Sequence, residues 1–367
     1  MTKTIVHHER ATSLEVTVNA IELSNSVIKL GLDIHSKLYV VVAQYDHALP
    51  KPARRLSPPE FVPWVERLLR SGHSVHVVYE ACGFGFGLYR QLLALGAHCY
   101  VIAPRKLDEQ RSGVKTDPRD AATLCQRLSR YVDGNTRELA VIRVPSEEEE
   151  QARHTSRQRQ QLVHHRQKIE AQGRGLLVSH GLPAPAHWWK TQTWNRLIKL
   201  LPEWIVPHLE LYRPILFALD QQITTLTIQL EAAAPSNIPA GLGKLTTVTL
   251  SREICHWNRF SNRRTISSYT GLCPGEYSSG CKRIPGSVTK RGNPRLRAAL
   301  VECAWRMVRF QPQYPPVKKR LPLLAKGSRA TGAQRKKAIV AVARQLAVDL
   351  WRLHTGRCTA MQLGFKI

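Results

Sequence analysis

Residues 27–45 read VIKLGLDIHSKLYVVVAQY, and the fold is decided here. Two runs rich in β-branched and apolar residues, 27–34 and 38–45, flank the short turn His35-Ser36-Lys37, the pattern of an early β-hairpin. Downstream, Ser57-Pro58-Pro59-Glu60 combines a serine cap with early prolines and opens a helix. Its apolar residues Phe61, Val62, Trp64, Val65, Leu68 and Leu69 recur at helical spacing. A short buried-type strand is predicted over 75–79, a helix over 88–95 ended by Gly96, and another strand over 99–103. After Pro118 a helix is predicted over 119–131. A hairpin followed by alternating helices and strands predicts a mixed α/β sheet.

Acidic residues are scarce, so their positions carry information. Asp33 ends the first strand and Glu80 ends the 75–79 strand, where functional groups gather in open α/β sheets. Asp117 and Asp120 stand three apart at a helix start and can face one way. Taken singly, each has a structural explanation: helix cap, first-turn dipole partner, or solvated strand end. Four converging carboxylates would repel unless cations lay between them. Hard oxygen ligands suit Mg²⁺, with Mn²⁺ as an alternative, and two ions about 4 Å apart serve phosphoryl transfer in such sites.

Beyond the sheet, Ser146-Glu147-Glu148-Glu149 resembles a capped helix start, and residues 151–169 are polar and glycine-free. A second long helical stretch runs over about 213–230, and Trp188, Trp189, Trp194 and Trp204 lie between the two. A helical hairpin or coiled coil is the expectation, with an ordinary helical subdomain as the alternative. Near the end, Ile339, Val342, Ala343, Leu346, Ala347, Leu350 and Trp351 form a helical stripe that should pack on a core.

Charge narrows the partners. The chain of 367 residues has 54 Lys and Arg against 27 Asp and Glu, a formal charge of +27. Residues 236–367 hold 25 of these cations and only 4 acids. A nucleic acid is the partner this implies. No stretch has the length of a membrane helix, no basic anchor or lipidation signal is evident, and the N-terminal residues lack an apolar secretory core, so a cytoplasmic, nucleoid-associated location is expected. Eight cysteines without a CxxC pair fit reduced thiols, and Cys255-His256 with Cys273 and Cys281 is an irregular zinc candidate.

In this order, GLDIH (31–35), YEACG (79–83), KTDPRDA (115–121), PAGLGKLTTVTL (239–250), SYTGLCPGEYSSG (268–280) and GSVTKRGNPRLRAALVECAW (286–305) closely resemble the DEDD transposases of bacterial insertion sequences, the family called one-ten. The resemblance spans roughly residues 28–355 and implies a RuvC-like (RNase H-like) N-terminal domain. It implies that Asp33, Glu80, Asp117 and Asp120 form a metal-binding tetrad. It also implies a nucleophilic serine before the glycine of a Tyr-x-Ser-Gly motif; Tyr277-Ser278-Ser279-Gly280 puts this at Ser279, with Ser278 adjacent. A further implication is that donor and target DNA are chosen by a structured guide, or bridge, RNA.

Lys282, Arg283, Lys290, Arg291, Arg295 and Arg297 follow the serine closely, a pattern suited to phosphate contacts. Pro239–Lys244 resembles a helix-hairpin-helix turn in which Gly241 and Gly243 let backbone N–H groups, with Lys244, approach a phosphate; a glycine helix cap would look similar. The domain reading is a polar extension at 1–26, the RuvC-like catalytic domain at 27–135, a coiled-coil connector at 136–235 and a mainly helical transposase domain at 236–367. Acids and serine fall in different domains, so domain closure or a homo-oligomer, a dimer or tetramer, is expected. Two rival readings are a RuvC-type junction endonuclease using water and a non-catalytic nucleic-acid-binding protein.

Overall fold

The computed structural model of the protein describes residues 25–104, 116–279 and 282–367, which divide between two compact units, 1–144 and 145–367. Most of the N-terminal extension expected at 1–26 therefore lies outside the described residues.

In the first unit, β1 (Val27–Ile34), β2 (Tyr39–Tyr45), β3 (Arg54–Leu56), β4 (Ser74–Glu80) and β5 (His98–Ile102) form one sheet in the order β3-β2-β1-β4-β5. β2 is antiparallel to β1 and β3, and β1, β4 and β5 are parallel. The hairpin read from residues 27–45 is present. Edge strand β3 was not legible, because three residues are too few to show a period. Helices α1 (Pro58–Arg70), α2 (Gly87–Ala94) and α3 (Asp117–Val132) cover the sheet. Ser57 starts α1 by donating from its backbone N and its Oγ to Glu60 Oε2, at 2.8 and 2.7 Å.

Strand alternation divides the core. Ile28, Leu30, Leu32, Val75, Val77 and Tyr79 pack with Phe61, Val65 and Leu92 on one face. Val40 and Val42 pack with Ala121 and Cys125 of α3 on the other, and Val78 and Ile102 with Leu124 and Leu128. Apolar burial on both faces explains why these strands read as continuous runs. The α3 face closes at Gly31, where a Cβ would lie 2.3 Å from Ala121 O and from Cys125 N. The unit also extends beyond the expected boundary at 135: Leu139 is buried, and the Ile142 N–H donates to Val101 O at 2.8 Å.

The second unit opens with α4 (Glu147–Ser179), capped by Ser146, whose Oγ accepts from Glu149 N at 3.2 Å. α5 (Thr191–Leu197) and α6 (Val206–Glu210) lead to α7 (Arg213–Ala232). Arg166 pairs with Asp220, and Arg159 Nε donates to Thr227 Oγ1 at 2.7 Å, so α4 and α7 run antiparallel as the expected helical hairpin. Trp188, Trp189 and Trp194 are buried in the connection, whereas Trp204 is exposed.

Next come α8 (Lys244–Ile254), α9 (Arg263–Thr270), the antiparallel ribbon of β6 (Pro274–Ser279) and β7 (Lys282–Val288), α10 (Pro294–Phe310), the short α11 (Pro315–Lys318) and α12 (Leu321–Leu324), α13 (Gly332–His354) and α14 (Ala360–Leu363). The α13 stripe is buried as expected. The ribbon was not foreseen: Tyr277 and Ile284 are 75% and 56% exposed, so no buried face imposed a period of two.

One carboxylate ties the second unit together. Glu253 of α8 is 1% exposed; its Oε1 and Oε2 accept from Arg157 Nε and Nη2 of α4, both at 2.8 Å, and Oε2 also accepts from Asn293 Nδ2 at 2.7 Å. The Asn293 Oδ1 meanwhile caps α10, accepting from Arg295 N and Leu296 N. Burial by itself would raise the Glu253 pKa, but the Arg157 and Asn293 bonds hold it below its ordinary 4.5.

Two outcomes follow in denaturant melts. Gly31→Ala should lower the stability of the first unit by about 1–3 kcal/mol, because the added carbon meets helix backbone rather than a movable side chain. Glu253→Gln should cost the second unit about 3–5 kcal/mol, the usual loss when one partner of a buried pair is removed. A depressed carboxylate pKa contributes stability above the unfolded value that is lost as pH falls through the folded one. Wild-type stability should therefore decline as pH drops below about 4.5, and the variant should lose part of that dependence.

Candidate active site

The parallel register of β1 and β4 ends at Leu32↔Tyr79, one residue before Asp33 and Glu80. These two acids thus stand together at one edge of the sheet, Glu80 as the last residue of β4 and Asp33 as the last but one of β1. Alternation turns both away from the face of Leu32 and Tyr79 and towards α3. At that edge α3 begins, with Asp117 its first residue and Asp120 in its first turn, 9% exposed. The bare Cα of Gly31 lets α3 lie directly on β1, which brings the first turn of α3 to the end of that strand.

His35 completes the arrangement. Its Nε2 lies 3.4 Å from Asp33 Oδ2 and 3.4 Å from Asp117 Oδ2. Ligand atoms of Asp33, His35 and Asp117 all fall within 4.8 Å of one another, the only such group among the described residues. Glu80 and Asp120 lie outside this trio. Two of the four expected acids are therefore gathered with a histidine that was not among the expected ligands. A signal for it was present, since His35 stands two residues after Asp33, the strand spacing that returns a side chain to the same face.

Carboxylates this close repel, and a cation between them offsets the repulsion. Two carboxylates with one imidazole nitrogen are a donor set that suits a divalent cation. Cys255, His256 and Cys273 form no comparable group, and Cys281 of that zinc candidate lies outside the described residues.

In the second unit, Ser278 and Ser279 sit on β6 rather than in a turn, and alternation points them to opposite faces. Ser279 pairs with Lys282 and Ser278 with Arg283 in the ribbon register. The Ser278 hydroxyl donates to Glu276 Oε1 at 2.7 Å. Gly241 and Gly243 have φ of 92° and 70° immediately before α8, and Lys244 is exposed. Lys290 and Arg291 are exposed as well. Arg295 Nε donates to Gln160 Oε1 at 2.9 Å. Arg297 Nη1 donates to the carbonyls of Thr270 and Lys290, at 3.3 and 3.2 Å, bracing the turn after α9. No helix among the described residues is long and apolar enough to cross a membrane.

A mixed sheet with acids at its parallel strand ends and on the helix above them, in one chain with a strongly basic helical unit, defines a protein that processes nucleic acid. Residues 30–181 match the DEDD transposase model of the IS110 type, and residues 237–317 match the family described as transposase IS116/IS110/IS902. The chain is 32% identical to the putative transposase y4rJ of Sinorhizobium fredii (strain NBRC 101917 / NGR234), over 75% of this chain and 76% of that protein. It is 29% identical to the transposase for insertion sequence element IS1111A of Coxiella burnetii, over 77% and 80% of the two chains. The chain belongs to the IS116/IS110/IS902 transposase family.

Binding to the folded state alone raises a melting temperature. Millimolar Mn²⁺ should therefore raise that of the wild-type protein, and Asp33→Asn should remove most of the rise while leaving the metal-free melt within about 1 kcal/mol, as for an isosteric exchange of a partly exposed polar side chain. Differential scanning fluorimetry with and without EDTA reads both.

Proposed function

We propose that this transposase cuts and rejoins DNA by metal-dependent phosphoryl transfer with Ser279 as the nucleophile, moving an insertion sequence between donor and target sites selected by a structured guide RNA. The observation that carries the reading is the meeting of Asp33 and Asp117 around His35 at the sheet edge where Glu80 and Asp120 also stand. Divalent cations held by the acids would stabilise charge on the attacking and leaving oxygens of a phosphodiester.

The remaining chemistry belongs to the chain. Ser279 Oγ forms a bond to the scissile phosphorus as a phosphorus–oxygen bond of the strand breaks, and the departing strand oxygen takes up a proton. The phosphoserine link keeps the diester energy for rejoining, which follows by the reverse exchange with a new strand oxygen. Lys282, Arg283, Lys290 and Arg291 would grip the flanking phosphates. The acids belong to one compact unit and the serine to the other, so both must reach the same phosphate, by closure within one chain or across a homo-oligomer. A strongly basic chain with few obvious base-reading modules is compatible with delegating sequence choice to base pairing with a guide.

One observation favours a neighbouring register. Ser278 Oγ sits at 2.7 Å from the Glu276 carboxylate, the geometry of a hydroxyl beside a base. Paired variants decide: Ser279→Ala should abolish both cleavage and joining of labelled DNA, and Ser278→Ala should retain substantial activity. A protein-linked DNA band on denaturing gels, lost only in Ser279→Ala, is the expected result. Loss only in Ser278→Ala moves the nucleophile one residue earlier, and full activity of both variants leaves water as the nucleophile. Asp33→Asn or Asp120→Asn should abolish cleavage with most nucleic-acid affinity retained.

A further inference from the structure

A cavity of about 470 Å³ opens between α4, the end of α7, the first turn of α8 and α10. It has room for roughly fifteen waters at about 30 Å³ each, more than a simple halide needs. Five cations line it, Arg157, Arg159, Lys244, Arg295 and Arg306, beside the acids Glu231, Glu253 and Glu302. Partnering sorts these charges. Arg157 is taken up by Glu253, and Arg306 by Glu302 at 2.8 Å.

Arg159, Lys244 and Arg295 remain. Arg159 Nε donates to the Thr227 hydroxyl and Arg295 Nε to the Gln160 side-chain carbonyl, both neutral acceptors. Among the described residues, no carboxylate lies within ion-pair distance of any of the three. Burial also pulls the Arg159 pKa down from its ordinary value, with Glu231 only partly opposing this. A half-buried guanidinium with no carboxylate at ion-pair distance is costly, and an anion entering the cavity would relieve that cost.

The first turn of α8 points the same way. Its cap is Gly243, at φ 70°, which has no side chain to accept a hydrogen bond. A Cβ there would be strained and would stand 3.2 Å from Arg306 Nη1. Among the described residues, the N–H groups of Lys244, Leu245 and Thr246 have no acceptor within the protein. Lys244, Leu245 and Thr246 themselves line the cavity, so neutral donors and cations converge on one space.

We propose that this cavity seats a phosphodiester of a nucleic-acid strand, with Arg159, Lys244 and Arg295 making the ionic contacts and the first turn of α8 donating N–H groups. It is a fixed seat built jointly by the long helix α4 and by α8 and α10, and it shares no lining residue with the serine ribbon. It stands independently of the metal and serine assignments. The backbone phosphate of DNA and that of RNA share the recognised chemistry.

The test is fluorescence anisotropy of the full chain in EDTA with a labelled duplex DNA and a labelled hairpin RNA, over 50–200 mM KCl. The Arg159→Gln/Lys244→Gln double variant should lose about tenfold in affinity. For duplex DNA it should also lose between one and two units of slope in log affinity against log salt. The matched control, Lys336→Gln/Lys337→Gln on the exposed face of α13, removes the same charge and should change affinity less than about threefold. Loss confined to DNA assigns the seat to a DNA strand, loss confined to RNA assigns it to an RNA strand, and loss of both means that it accepts either. Lys244→Gln alone, which leaves the α4–α7 contact untouched, should shift affinity in the same direction with an unchanged melting temperature. Unchanged binding by the double variant, or an equal loss in the control, overturns the proposal.

Discussion

The contact of α3 with β1 at Gly31 is the constraint on which the first unit of this protein depends. Helix backbone lies where any side chain at position 31 would have to sit. Because that approach is permitted, α3 seals the second face of the sheet with Ala121, Leu124, Cys125 and Leu128. The same approach brings the first turn of α3, with Asp117 and Asp120, to the strand edge that ends in Asp33 and Glu80. Packing and chemistry are thus set by one steric allowance. A helix held further out would leave Val40, Val42 and Val78 less covered and the acids apart.

The second unit has its own organising interaction, and it is ionic rather than steric. Removing a carboxylate from water costs several kcal/mol unless its lone pairs are met, and Glu253 meets them with a bidentate guanidinium from α4 and the amide that caps α10. Three helices distant in sequence are thereby registered on one side chain. Rigid placement of α4 against α8 and α10 is also what shapes the basic cavity, whose walls come from those same elements.

Both halves show how charge is allocated in a chain with twice as many cations as acids. Some acids face one another, as Asp33 and Asp117 do around His35, and Glu253 is buried against the Arg157 guanidinium. Several cations are used internally: Arg157 on Glu253, Arg297 on two carbonyls, Arg166 on Asp220. The excess of cations over acids suits a phosphate-rich partner, in keeping with a transposase.

Much of this was legible before folding. Continuous runs of β-branched and apolar residues gave β1, β2, β4 and β5; serine caps located α1 and α4; and the stripe of α13 gave its buried face, because these signals are local. The short β3 and the exposed β6–β7 ribbon were not legible, since neither buries a face that would impose a period. Residue positions pointed to four acids, and only the resemblance to a known family pointed to a serine before a glycine. Only tertiary packing decided which ligand atoms meet. It drew His35 between Asp33 and Asp117 and left Glu80 and Asp120 beside that trio, and it determined which arginines are consumed by carboxylates and which are left facing the cavity. The sequence by itself determined the elements and the chemistry on offer, because periodicity and side-chain type are written residue by residue. Partner choice between segments tens of residues apart depends on backbone approach, and that is decided only when helix and sheet meet.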